Sequence, residues 1–224
     1  MRRGVQTRCH RSIERVPERR AVASGALARR AAIDRTSRSL WGGGTYTPAA
    51  THDSRTNTTP LVANTGSPWT VAEESWHALV TCVKNEFAPF NVVVTDVDPG
   101  NQEHIEIVFA QATLPALLGE PAIAPLTCSV VPNAIAFVSQ AHAEADLTQG
   151  CAAAVQSVGY SLGLESVTQC PDAMTFAPTA CADAPFTNVP LPCGHDESTP
   201  CECTEGTAQN SYERLLAVTG PRCL

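Results

Sequence analysis

The chain has 224 residues, ten of them Cys, and 43% are hydrophobic, which suits one sizeable domain or a domain with a tail and excludes collagen-like, coiled-coil and wholly disordered classes. Residues 1–55 hold twelve Arg and four acids, a balance of +8, while residues 56–224 hold three cations and eighteen acids, a balance of −15. The acidic part is expected to repel nucleic acid and anionic lipid, and no apolar run approaches the ~20 residues that a membrane-spanning helix needs.

Residues 1–40 show neither the period of a helix nor that of a strand, so they read as a basic, disordered extension or an atypical leader. The best apolar stretch of a leader, Ala21–Ala28, is short and runs into Arg29-Arg30, so no clear signal peptide is present. Residues 41–69 are rich in Gly, Thr, Pro and Asn and read as loop, with a short strand near Gly44–Thr47. Asn57-Thr58-Thr59 is a glycosylation sequon, which has meaning in a eukaryotic secretory pathway.

The first helix opens at Thr70-Val71-Ala72-Glu73, which has the form of a capping box. Apolar Trp76, Leu79, Val80, Val83 and Phe87 make one stripe along it, and Pro89 ends it. His77 lies beside that stripe and reads as a surface or boundary residue. Three short strands follow: Asn91–Asp96, His104–Ala110 with Ile105, Ile107 and Phe109 on one face, and Ala134–Ser139. A loop containing Pro115, Gly119, Pro121 and Pro125 separates the last two. A second helix spans about Leu147 to Leu162, with Cys151, Val155, Val158 and Leu162 as its apolar stripe and Gly163 as its stop. Residues 170–206 are rich in Cys and Pro and read as irregular; a last helix covers about Asn210–Thr219, with Tyr212, Leu215 and Leu216 inward and Gly220-Pro221 as its end. This order gives an α/β class: a small sheet packed on helices.

Nine cysteines follow the basic segment: Cys82, Cys128, Cys151, Cys170, Cys181, Cys193, Cys201, Cys203 and Cys223. Their density fits a disulfide framework formed in an oxidising, extracellular or periplasmic compartment. Nine is odd, so one thiol is free or pairs elsewhere, with Cys9 as one partner; the connectivity is open.

The second helix and its exit carry the functional signal. Gln156-Ser157-Val158-Gly159-Tyr160-Ser161-Leu162-Gly163-Leu164-Glu165-Ser166 is followed, eleven residues past Gly163, by Met174 in Asp172-Ala173-Met174-Thr175. This stretch resembles the active-site helix and Met-turn of the metzincin zinc proteases, closest to the matrixin-like ones, whose pattern is H-E-x-x-H-x-x-G-x-x-H and then a Met. The resemblance is specific over Val155–Phe176 and extends in element order over about Trp41–Leu224. It implies a twisted mixed sheet packed on the active-site helix and a second long helix, with a sheet edge that holds substrate as an added strand. It also places the folded domain at 41–224, with sheet and helices in 41–163 and the Met-turn, Cys-rich segment and last helix in 164–224.

In that pattern two His four apart bind one Zn²⁺ from a single helix face, the Glu acts on the zinc-bound water, and the Gly turns the chain so that a third His reaches the metal. Here Gln156, Tyr160 and Ser166 stand at the three His positions and Ser157 at the Glu; Gly163 and Met174 match. Gln, Tyr and Ser are poor zinc ligands, and a Ser without a base takes no proton from water. The resemblance therefore implies a pseudo-protease that has lost its zinc and binds a peptide or protein in the vestigial cleft of Gln156, Ser157, Tyr160, Gly163, Ser166 and Met174.

Two competing readings remain. The first is an active hydrolase or metallopeptidase with other ligands: Cys193, His195, Cys201 and Cys203 form a Cys₃His set, though C-x-C is tight for zinc, and His142 and His104 are further candidates. The second is a disulfide-rich structural or surface module. No Gly-x-Ser-x-Gly elbow, phosphate loop or dinucleotide fingerprint occurs.

Overall fold

The computed structural model describes residues 29–34, 45–61, 69, 71–110, 120–176, 181 and 184–222. In chain order the elements are β1 (Arg29–Asp34), β2 (Thr47–Pro48), β3 (Thr58–Thr59), α1 (Glu73–Glu86), β4 (Val92–Thr95), β5 (Ile105–Ala110), β6 (Ala122–Ile123), β7 (Ile135–Ser139), α2 (Gln140–Ala145), α3 (Leu147–Ser161), β8 (Leu191–Pro192), β9 (Ala208–Gln209) and α4 (Ser211–Thr219). Five strands form one mixed sheet in the order β4-β1-β5-β7-β6. The pairs β1/β4, β1/β5 and β5/β7 are parallel, and the edge strand β6 is antiparallel to β7, with Ala122 opposite Val138.

Parallel strands are joined by crossovers that cover the sheet, so their residues are buried on both faces. Every residue of β5 and β7 is buried. Ile105, Ile107 and Phe109 join the core beneath the helices, while Val108, Ala110, Ile135 and Phe137 meet Tyr46 on the other face. Glu106 is buried there too, where its Oε1 accepts the Tyr46 hydroxyl at 2.9 Å.

The main elements fall where the apolar periodicity puts them, and the differences lie in short elements and in strands held by ladders to distant parts of the chain. Residues 29–34, read as part of the basic extension, form β1 between β4 and β5. Its sequence has no alternation to announce a strand, and ladders on both sides hold it, Arg29 opposite Val92 and Ala31 opposite Ile105. β6, two residues between Pro121 and Pro125, was read as loop, and α2 was not anticipated. The expected capping box rests on Thr70, outside the described residues. α1 starts at Glu73 with Ala72 as its N-cap and no side-chain cap bond from it; Glu73 lies 3.3 Å from His77 one turn on, an exposed pair at the positive helix end. Thr70, Cys9, Cys223 and Ala21–Ala28 lie outside the described residues. The Cys-rich stretch is not wholly irregular, since β8 pairs with β9.

α3 is better delimited. Asp146 caps its start by accepting from the Thr148 N–H at 2.9 Å. At its end the Gly163 N–H donates to Tyr160 O and the Leu164 N–H to Gly159 O, a Schellman closure that needs a left-handed residue. Gly163 supplies it with φ +89°, and a Cβ there would also sit 3.2 Å from the backbone of Cys128 and Ser129. The predicted stop is thus required twice over, by the torsion and by the neighbouring chain.

Eight described cysteines form four disulfides: Cys82–Cys151, Cys128–Cys203, Cys170–Cys181 and Cys193–Cys201. Cys82–Cys151 ties α1 to α3 across 69 residues of chain, with Cα atoms 6.2 Å apart. A cross-link of that span constrains the unfolded chain, so Cys82→Ala with Cys151→Ala is expected to cost about 2–4 kcal/mol. Urea unfolding measures it as a lowered midpoint, with a slope that rises because the unfolded chain is freed to expand; a midpoint equal to the parent's would refute the estimate.

Candidate functional site

The site is built on one face of α3. The helix is buried along most of its second half, and that burial includes polar Gln156, Ser157 and Ser161. Buried polar groups must be hydrogen-bonded, and these are. Gln156 Nε2 donates to Thr175 O at 2.9 Å, Ser157 Oγ to Ala153 O at 2.7 Å, and Ser161 Oγ to Ser157 O at 2.9 Å. Residues 156 and 160, one turn apart, project on the same side. After the reversal at Gly163 the chain brings Ser166 back, so that its Oγ lies 2.6 Å from Tyr160 OH. Burial pushes the Tyr160 phenol above its usual range, and the Ser166 bond opposes that shift.

Beneath this face lies the turn that carries Met174. Val167 pairs with Thr175, with Val167 N–H donating to Met174 O and Phe176 N–H to Val167 O. Met174 is fully buried against Gly159, where a Cβ would stand 2.5 Å from its Sδ. The bare helix surface at Gly159 is therefore what lets the Met floor approach. Asp172 fixes the turn: its buried carboxylate accepts from Met174 N at 2.8 Å, Thr187 N at 2.9 Å and Ser211 Oγ at 2.9 Å. Burial raises the Asp172 pKa, against the pull of these donors.

A cavity of about 240 Å³ opens beside Gln156, Ser157 and Tyr160. Pro121, Ala122 and Ala124 along β6 form one wall, His142 and Gln149 another, and Glu120 and Phe176 complete it. His142 Nδ1 itself is shut off from solvent and has no hydrogen-bond partner. Phe176 stacks on His195 with ring centroids 3.9 Å apart and planes 7° from parallel.

The six residues taken from the sequence motif are gathered within one helix, its exit and the turn below it; Gln156, Ser157 and Tyr160 line the cavity, and Gly163, Ser166 and Met174 do not. The alternative Cys₃His set is not. Cys193 is bonded to Cys201 and Cys203 to Cys128, so none of the three offers a thiolate, and His195 lies exposed against Phe176. Glu165 approaches Cys193 and Cys201, but its carboxylate accepts the N–H groups of Glu202 and Cys203 at 2.7 and 3.0 Å. His104 is buried, with Nδ1 2.7 Å from Gln102 O, away from this cavity. His142 does reach the cavity wall. Glu120, Gln149 and Phe176 were missed as lining residues; Glu120 comes from a separate element, whereas Gln149 lies two turns before Gln156 on α3 and Phe176 two residues past Met174, positions that helix spacing and the turn could have indicated.

The chemistry open to this arrangement is narrow. Ser157 has its proton on a main-chain carbonyl, and no base is bonded to it among the described residues. A hydroxyl so placed is not activated for attack. No protein-family model matches the chain, and no curated protein matches it.

Proposed function

We propose that this chain is a metzincin-like pseudo-protease, which binds an extended peptide in a vestigial cleft without cleaving it. The observation that carries the reading is the return of Ser166 to Tyr160, two positions where the family motif puts His, with Gln156, the third such position, one turn back on the same helix and Met174 buried. Here Tyr160 and Ser166 bond to each other and Gln156 bonds to Thr175 O. The groups are neutral, and their bonds close within the protein. Such a set does not fit Zn²⁺, which takes imidazole, thiolate or carboxylate.

The edge strand supports the binding half of the reading. β6 ends the sheet order, and no strand pairs with its outer side among the described residues. An extended peptide adds to such an edge through main-chain bonds and needs no metal. The four disulfides support an extracellular or periplasmic setting, where such bonds persist.

The test is peptide binding with and without zinc. Mixed extended heptapeptides are expected to bind equally in zinc and in chelator, to survive incubation intact, and to slow amide exchange at Ala122–Ala124. Zinc-dependent cleavage sinks the reading; absence of binding by any extended peptide favours a structural module instead.

A further inference from the structure

We infer that the cleft selects a peptide with a basic anchor, an arginine whose side chain enters the cavity beside α3. This rests on the peptide-binding reading and adds what the peptide must carry. The basis is the direction of the hydrogen bonds. Gln156 uses its amide N–H on Thr175 O, which leaves Oε1 as an acceptor. Ser157 gives its proton to Ala153 O and can only accept from a ligand. His142 lines the wall as well, and a neutral imidazole offers one acceptor nitrogen. Glu120 adds a carboxylate, and among the described residues neither Lys nor Arg lines the cavity.

The surroundings have the same sign. Residues 56–224 hold three cations against eighteen acids. Two of the three are engaged elsewhere: Arg214 donates to the carbonyls of Cys203 and Gly163, and Arg222 to those of Phe90 and Val92. A carboxylate ligand would meet Glu120 and a row of acceptors. A purely apolar side chain would bury those acceptors unpaired. Arginine offers five donors and no acceptor, carries a charge opposite to the domain's, and has an apolar stem and a planar head that stacks on aromatic rings. Phe176, Tyr160 and the Pro121–Ala124 wall suit the stem and the head, and the acceptors suit the N–H groups.

The experiment uses the full chain and an acetylated, fluorescent heptapeptide of valine and threonine with a single central arginine. Three partners replace that arginine with citrulline, norleucine or glutamate. Fluorescence anisotropy is expected to show the arginine peptide at least tenfold tighter than the citrulline and norleucine peptides, with no binding of the glutamate peptide. Glu120→Gln, a near-isosteric change at an exposed position, is expected to weaken the arginine peptide at least fivefold and leave the norleucine peptide unchanged. If norleucine binds as well as arginine, the basic anchor is wrong and the peptide-binding cleft stands. If none of the four binds, the cleft reading itself fails and takes the anchor with it.

Discussion

Gln156→His, Tyr160→His and Ser166→His, combined in one chain, are expected to create a zinc site with a Kd of about 1 μM or tighter, where the parent chain shows no stoichiometric affinity. The geometry is the reason. Residues 156 and 160 are one turn apart on α3, so two imidazoles there share a face. The Gly163 reversal already carries position 166 to hydrogen-bond distance of the 160 side chain, 2.6 Å between hydroxyl oxygens. A metal with Zn–N bonds of about 2.0–2.1 Å needs a convergence of this kind. The Met174 floor is in place below. Adding Ser157→Glu would supply a base, but that position is 1% exposed and packed, so the binding test uses the three His alone. Calorimetry against Zn²⁺ is expected to give a stoichiometry near one, with release on acidification as the imidazoles protonate. A folded triple variant, its four disulfides intact, that binds zinc no better than the parent would show that the three positions do not converge as a metal site. That result counts against the ancestry proposed for the cleft.

Most of the framework was legible because it rests on burial with a period. The stripe Trp76, Leu79, Val80, Val83 marks α1, and all four residues are buried. The alternation in His104–Ala110 sorts Ile105, Ile107 and Phe109 from Val108 and Ala110, which enter opposite faces of the sheet. α3 was legible as a helix but not in its burial. Its Ala, Gly, Ser and Gln positions look polar or neutral in sequence, yet many are buried: small Ala and Gly let neighbours pack close, and carbonyls along and beside the helix accept the protons of Gln156, Ser157 and Ser161. β1 and β6 escaped for a different reason. Their places come from main-chain ladders to strands distant in sequence, Ala31 with Ile105 and Ala122 with Val138, and side-chain pattern does not encode a ladder. The disulfides escaped likewise, since Cys128 meets Cys203 across 75 residues and nothing local distinguishes that partner from Cys201. In the site, spacing along a helix and a turn gathered Gln156, Tyr160, Ser166 and Met174, whereas Glu120 and His142 arrive on β6's approach and on α2.

Asp172→Ala is expected to cost about 3–6 kcal/mol of folding free energy, a large share of the 5–15 kcal/mol typical of a domain. The carboxylate accepts from two main-chain N–H groups and one hydroxyl, Met174, Thr187 and Ser211, which belong to the turn, the following segment and α4. Truncation leaves the buried Met174 N–H and Ser211 hydroxyl and the part-buried Thr187 N–H without this acceptor, at about 1–3 kcal/mol each, with entering water holding the total toward the lower end. Because the same carboxylate ties the turn to α4, the loss also frees Met174 from its seat against Gly159. Amide exchange at Met174 and Thr187 is expected to rise together with the drop in stability. The pH dependence has a definite sign. Burial raises the folded-state pKa of Asp172 above its unfolded value, so the folded protein holds this proton more tightly than the unfolded chain does. The stabilisation linked to that proton is complete below the unfolded value of about 3.9 and is lost as pH rises through the folded pKa. The stability gap between the parent and Asp172→Ala is therefore wider in mild acid than at neutral pH, with ionisations common to both proteins cancelling in the difference. Paired urea titrations from pH 4 to pH 8 measure it. A gap that widens toward pH 8 would mean that the three donors outweigh burial and that the turn is held by a carboxylate of depressed pKa; a cost under about 1 kcal/mol would mean that Asp172 does not hold the turn at all.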